Sequence, residues 1–287
     1  MDYRNKGTGN WDKVWFITGT SQGIGLTLVQ KVLETSKDRV VATTRNTKAL
    51  CDLERQHKDR LLVLEMDITK EDIIQQCVEE SLKRFQRIDV LVNNAGYGVL
   101  GSLEELTQQE IKDHFEVNVF SVFNVCRHVL PVMRKQMSGT IFNLSSMVGF
   151  YSCFPGNVSY SATKFAIAGM TESLALEVSK FNIRVVIVYP GRFATNFFAP
   201  TSYKRAEKPM DGIYDTKEIE QVCVDSQGKQ KGDPYKLAKI LIVAANSEKP
   251  PLHLFIGQDS ISFAQEKLKI IQNDIDQWKH LTMNTDR

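Results

Sequence analysis

The chain has 287 residues, 42% hydrophobic and 24% charged, with a formal net charge of +2 at neutral pH. That is ordinary globular composition with length for a large core, and a charge so near balance excludes nucleic acid held by phosphate attraction. Five scattered cysteines without a C-x-x-C pair and five dispersed histidines without an H-x-x-x-H pair exclude a disulfide framework and a metal site.

Scattered thiols fit a reducing interior. The first residues, MDYRNKGTGNWDK, are polar and do not read as a secretory leader. No apolar run approaches the ~20 residues of a membrane span. The expectation is a cytoplasmic protein without a transmembrane segment, with a flexible N-terminus over 1–12 and one domain over 13–287.

The elements follow in a regular order. Short apolar runs at Val14–Thr18, Val40–Thr44, Leu61–Met66, Asp89–Asn93, Thr140–Ser145 and Arg184–Tyr189 read as strands buried on both faces. Helical patterns lie between them at Ile24–Ser36, Thr47–His57, Lys70–Phe85, Gln108–Gln136 and Val158–Phe181. Strand, helix, strand at this rhythm predicts right-handed crossovers. The fold class is α/β, a doubly wound and mostly parallel sheet with helices on both faces. Past Pro190 the rhythm breaks, and 191–233 carries no strong strand but many aromatics, as a substrate lid would. A helix capped by Asp233 with Pro234 in its first turn follows. His253–Ile256 reads as a last strand and Ser260–His280 as a terminal helix.

The turn after the first strand is ITGTSQGIGL, Ile17 to Leu26. Gly19 suits the sharp turn, Gly23 lets backbone approach a diphosphate, and Gly25 lets the helix pack closely on the strand. The helix N-terminus offers free N–H groups to the phosphates. Its spacing is G-x-x-x-G-x-G rather than the generic G-x-G-x-x-G. The second strand ends in TTRN, with Thr44 where an acid would hold a ribose 2′-hydroxyl and Arg45 beside it. A guanidinium there accommodates a 2′-phosphate, so NADP(H) is expected over NAD(H).

SYSATK, Ser159 to Lys164, sets Tyr160 and Lys164 on one helix face. A neighbouring ammonium favours the phenolate, which predicts a phenol acidified toward the working pH for acid–base transfer.

With the glycine turn, DIT at Asp67–Thr69, NNAG at Asn93–Gly96, NLSS at Asn143–Ser146, YSATK at Tyr160–Lys164 and PG at Pro190–Gly191, the chain resembles the short-chain dehydrogenases/reductases from Val14 onward. The resemblance implies a catalytic set of Asn118, Ser146, Tyr160 and Lys164. Tyr160 delivers the proton, a serine stabilises the developing alkoxide, and Asn118 holds a relay water. Ser145 is the competing serine, and Ser146 fits the family spacing better. The implied cofactor contacts are Gly19, Ser21, Gln22, Gly23, Ile24, Gly25, Arg45, Asp67, Ile68, Asn94, Ala95, Gly96, Tyr160, Lys164, Pro190, Gly191 and Thr195. Asp67 and Ile68 border the adenine on this reading, although Asp67-Ile68-Thr69 also suits a helix cap.

Gln22 stands where NADP-selective members often carry a basic residue. Tyr97, Val99, Val148, Phe154, Phe193 and Phe197 are expected to line an apolar pocket for a steroid, retinoid, fatty or aryl carbonyl or alcohol. The two long helices suit a homodimer or homotetramer. The rival reading is an NADP(H)-binding sensor without chemistry. A nucleotide-sugar epimerase shares the Tyr-Lys pair but has different glycine spacing.

Overall fold

The computed structural model describes residues 13–285, so the expected flexible segment 1–12 lies outside the described residues. In chain order the elements are β1 Val14–Thr18, α1 Gly23–Thr35, β2 Arg39–Thr44, α2 Cys51–Gln56, β3 Leu61–Glu65, α3 Glu71–Phe85, β4 Val90–Asn93 and β5 Gly98–Leu100. Then come α4 Gln108–Phe115, α5 Ser121–Gln136, β6 Gly139–Leu144, α6 Val158–Val178, β7 Ile183–Pro190, β8 Tyr203–Arg205, α7 Thr216–Ser226, α8 Pro234–Asn246, β9 His253–Ile256 and α9 Gln258–Thr282.

Seven strands form one parallel sheet in the order β3-β2-β1-β4-β6-β7-β9. Successive side chains of β1 point to opposite faces. Trp15 and Ile17 join a core with α1 and α8, where Leu28, Val32, Leu237 and Leu241 are buried. Val14 and Phe16 join a second core with α3, α5 and α6 through Ile74, Val78, Val125, Val129 and Ile167. Burial on both faces explains why these strands are continuously apolar in sequence. The strand order reverses between β1 and β4, and in open α/β sheets ligands bind beyond the strand ends at that point.

Two departures from the sequence reading matter for the site. The expected single helix over Gln108–Gln136 is broken by a π-helical turn at Glu116–Phe120, a wide turn that often marks functional positions. The 191–233 segment is not wholly irregular: β8 pairs in parallel with β5, and α7 follows. Both strands have three residues, too few for a period-2 pattern, and Thr216 is the only buried residue of α7. The segment is fastened to the body by carboxylates. Glu105 accepts from the Met210 and Ser102 amides and the Thr216 hydroxyl at 2.7–2.8 Å, and Glu110 accepts from the Glu207 amide at 2.8 Å. Burial alone would raise the Glu105 carboxyl, but these donors outweigh it and hold it at about 2. The Asp233 cap forms as expected, accepting from the Tyr235 amide at 2.8 Å. Among the described residues no helix is long and apolar enough to cross a membrane.

Candidate active site

The turn after β1 is built by glycine at two positions. Gly19 has φ +71°, a left-handed conformation, and its amide donates to Thr43 O at 2.9 Å. A Cβ on Gly25 would lie 2.3 Å from Gly19 O and 2.6 Å from Asn94 Nδ2, so α1 can approach the strand only with glycine there. Asn94 completes the joint, its side-chain amide donating to Thr18 O and Gly19 O at 2.9 Å each. The Asn94 and Ala95 amides both donate to Thr18 Oγ1 at 3.0 Å. The ends of β1 and β4 are thereby locked together at the switch point.

A cavity of about 1330 Å³ opens above this joint. All the expected cofactor contacts border it except Gly25, which is buried beneath it. Gln22 caps α1 without a side-chain capping bond, and no acid stands in the first helical turn. The first-turn N–H groups are therefore available to an anion at Gly23 and Ile24, which suits a diphosphate. The Gln22 amide instead donates to Ser202 Oγ at 2.7 Å, tying the lid to the glycine turn. Arg45 is exposed on the cavity rim. The Asp67 carboxyl is held below its ordinary value first by hydrogen bonds from the Thr69 amide and hydroxyl, at 3.0 and 2.8 Å, and further by the charges of Lys70 and Arg45. Asp67 thus closes a turn and borders the cavity at once. The cap position of α3 itself is Lys70.

At the other end β6 delivers two serines with different surroundings. Both border the cavity, but Ser145 is buried and its hydroxyl donates to Lys164 O at 2.8 Å. Ser146 accepts from the Val148 amide at 3.4 Å, and its hydroxyl stands near enough to the Tyr160 phenol to favour its ionised form. Lys164 Nζ donates to Leu144 O at 2.8 Å and lies 5.7 Å from the Tyr160 ring centroid. Burial pushes this ammonium down to about 8.

The expected acidified phenol is not found. Burial pushes Tyr160 up to about 12, opposed only by the neighbouring Ser146 hydroxyl. Lys164 sits over the ring face rather than at the hydroxyl, and its ammonium is committed to the Leu144 carbonyl. Burial thus favours the neutral phenol, the protonation state of an acid.

Asn118 does not border the cavity; it is 1% exposed within the π-helical turn. Its Oδ1 accepts from the Tyr97 amide at 3.0 Å, and its Nδ2 donates to Tyr97 O at 2.8 Å and Thr163 Oγ1 at 3.3 Å. Thr163 in turn donates to Tyr160 O at 2.8 Å, joining Asn118 to the tyrosine's own turn.

The sequence reading missed His114, one turn before Asn118. It is fully buried, with Nε2 at 3.0 Å from Tyr97 O and Nδ1 at 2.7 Å from Ser159 Oγ. Nε2 also lies 2.9 Å from the Asn118 side-chain amide nitrogen, so the imidazole ties Asn118, Tyr97 and Ser159 together. Burial pushes this imidazole down to about 4, and it stacks on Tyr160 with 7° between ring planes. The i, i+4 spacing to Asn118 was the available signal.

Of the expected apolar lining, Tyr97, Val148, Phe154, Phe193 and Phe197 border the cavity. Val99 does not: it points the other way from β5, into a small core with Leu106 and Ala206. Ile219 and Val222 of α7 take part instead. Among the described residues no group of three His, Cys, Asp or Glu could hold a metal ion.

Fold and site define an oxidoreductase of the Rossmann-like α/β class. Within that class the chain belongs to the short-chain dehydrogenase/reductase family, whose short chain dehydrogenase model matches residues 13–206. It is 30% identical over 273 residues to oxidoreductase BOA17 of Botryotinia fuckeliana, covering 94% of this chain and 98% of that one. It is 33% identical over 256 residues to a 3-ketodihydrosphingosine reductase of Bacteroides thetaiotaomicron, covering 89% and 92%.

A short-chain dehydrogenase from Streptomyces avermitilis superposes with a TM-score of 0.87 at 36% identity over 96% of this chain and 100% of that one. Two further structures share the fold. A Burkholderia phymatum protein in complex with NAD gives a TM-score of 0.80 at 20% identity, covering 91% and 95%. A Burkholderia cenocepacia protein in complex with NADP gives 0.71 at 22%, covering 92% and 96%.

Proposed function

We propose that this chain is an NADP(H)-dependent oxidoreductase that interconverts a lipophilic ketone or aldehyde with the corresponding alcohol. The observation that carries this reading is the placing of Tyr160 and Ser146 together on the wall of the cavity, with the Lys164 ammonium 5.7 Å from the Tyr160 ring. The glycine turn, the open first turn of α1 and the Asn94–Gly96 wall fit a dinucleotide. When bound, its nicotinamide supplies the hydride. Tyr160 donates its proton to the carbonyl oxygen, and the Ser146 hydroxyl is a second donor that stabilises the developing alkoxide. Lys164 places positive charge near the phenolate that Tyr160 leaves behind. Asn118 and Thr163 hold the Tyr160 turn.

Preference for NADP(H) is supported by Arg45 at the rim and by Thr44, uncharged, at the end of β2. Substrate class is supported by the aromatic and aliphatic walls, and the Bacteroides relative's name specifies reduction of a keto compound. A homodimer through α5 and α6 is supported by exposed Phe120, Phe123, Phe165 and Leu176 on and beside those helices. A cytoplasmic setting suits its five free cysteines, two of them buried.

Purified protein assayed with NADPH and NADH against lipophilic carbonyls tests this function. NADPH is consumed in preference, and Arg45→Asp lowers kcat/KM with NADPH by about 10²-fold through lost attraction and added repulsion, about 2.7 kcal/mol in sum. Its kcat/KM with NADH is little changed. Faster consumption of NADH by the unaltered protein would reverse the cofactor assignment. Binding without consumption of either would favour the sensor.

A further inference from the structure

Among the described residues nothing covers the terminal helix along most of its length. α9 meets the body through its first turns, where Ser260 and Ala264 are buried and Phe263 packs edge-on to Tyr151 and Phe154. From Leu268 to Thr285 every residue is exposed. At 1.5 Å per residue, about 20 Å of helix runs on from Leu268.

That segment is not polar all round. Leu268, Ile271, Ile275 and Trp278 are 57%, 39%, 52% and 59% exposed. Together with Ile261 and Ala264 they are spaced 3, 4, 3, 4, 3 along the chain, an apolar seam with a period of 3.5. This period keeps one stripe facing a second helix, and it marks helices that pair by interlocking side chains. A helix that lies on a lipid surface carries a Lys- and Arg-rich polar face. Here Asp259, Glu266, Asp274 and Asp276 offset Lys267, Lys269 and Lys279.

We propose that α9 pairs antiparallel with α9 of a second copy of this chain. A two-fold axis between positions 269 and 270 sets Leu268 against the counterpart of Ile271, twice by symmetry. The counterparts of Ile275 and Trp278 then lie along the open side of the first turns, over Ile261 and beside Ala264. In this register Lys267 faces the counterpart of Asp274 on each side, so the charges flanking the seam are self-complementary. The Lys267 ammonium lies 5.6 Å from the Tyr151 ring, at the edge where that counterpart arrives. Antiparallel pairing keeps the two bodies at opposite ends. A parallel pair would bring them together at the turns each body already covers.

Sedimentation equilibrium of the full chain tests this, comparing the unaltered protein with Ile271→Glu/Ile275→Glu. Both side chains are exposed and far in sequence from the cavity lining, so circular dichroism and carbonyl reduction are unchanged while the mass falls to half that of the unaltered protein. Asp274→Lys lowers the mass, and Lys267→Asp/Asp274→Lys restores it. Equal masses for the unaltered and double-Glu proteins overturn the proposal, whether or not the chain assembles through α5 and α6. Failure of the reciprocal swap to restore the mass overturns the antiparallel register. Binding of the unaltered protein to phosphatidylcholine–phosphatidylserine vesicles, lost in the double-Glu variant at constant mass, assigns the seam to a lipid surface and overturns pairing.

Discussion

Tyr160→Phe lowers kcat for carbonyl reduction by about 10²–10⁴-fold, the usual worth of a positioned general acid. The ring itself stays. It still stacks on His114 and meets Phe197, so the thermal midpoint and NADPH binding change little. The loss falls on kcat because the phenol acts on an oxygen that gains charge only as the hydride arrives. The pH dependence has a definite sign. A phenol held at about 12 is protonated below that value, so the reduction rate of the unaltered protein stays level across the neutral range. Alcohol oxidation needs the phenolate and rises with pH over the same range. Stopped-flow rates in both directions measure this, and a reduction rate that falls steeply through neutrality would mean another group donates.

Ser146→Ala lowers kcat by about 10²–10³-fold, as loss of one donor to a developing oxyanion does. It also removes the neighbouring hydroxyl that draws Tyr160 back toward its ordinary value. Ser145→Ala behaves differently, although the two serines are adjacent. Its hydroxyl is turned into the fold and donates to Lys164 O, so its loss costs stability, about 0.5–1.5 kcal/mol for one hydrogen bond. Urea unfolding of the Ser145 variant shows the lower midpoint while kcat is nearly kept. Loss of turnover from the Ser145 change alone would exchange the two roles.

Much of the site was legible because its chemistry is local. Gly19 and Gly25 are demanded by backbone geometry within a single turn, and Tyr160 and Lys164 share a helix face at i, i+4. The sheet was legible because both faces of β1 are covered, which leaves an unbroken apolar run. What stayed hidden depends on distant parts meeting. Three-residue β8 exists through its pairing with β5, and α7 shows its apolar side to a cavity rather than to a core. Val99 was assigned to the pocket by neighbourhood, but alternation along β5 turns it to the opposite side. The Tyr160 shift was misread because spacing reveals that Lys164 is near, not that its ammonium is bonded to Leu144 O over the ring face. His114 was overlooked because its neighbours Tyr97 and Ser159 come from other elements.

The most direct measurement follows the hydride itself. Protein incubated with NADPH carrying deuterium at the transferable C4 position and a panel of lipophilic ketones is analysed by mass spectrometry and NMR of the products. Deuterium on the carbinol carbon of the alcohol product, appearing about 10²–10⁴-fold more slowly when Tyr160→Phe is used, is the predicted result. NADPH that binds tightly yet leaves every ketone unlabelled would contradict it.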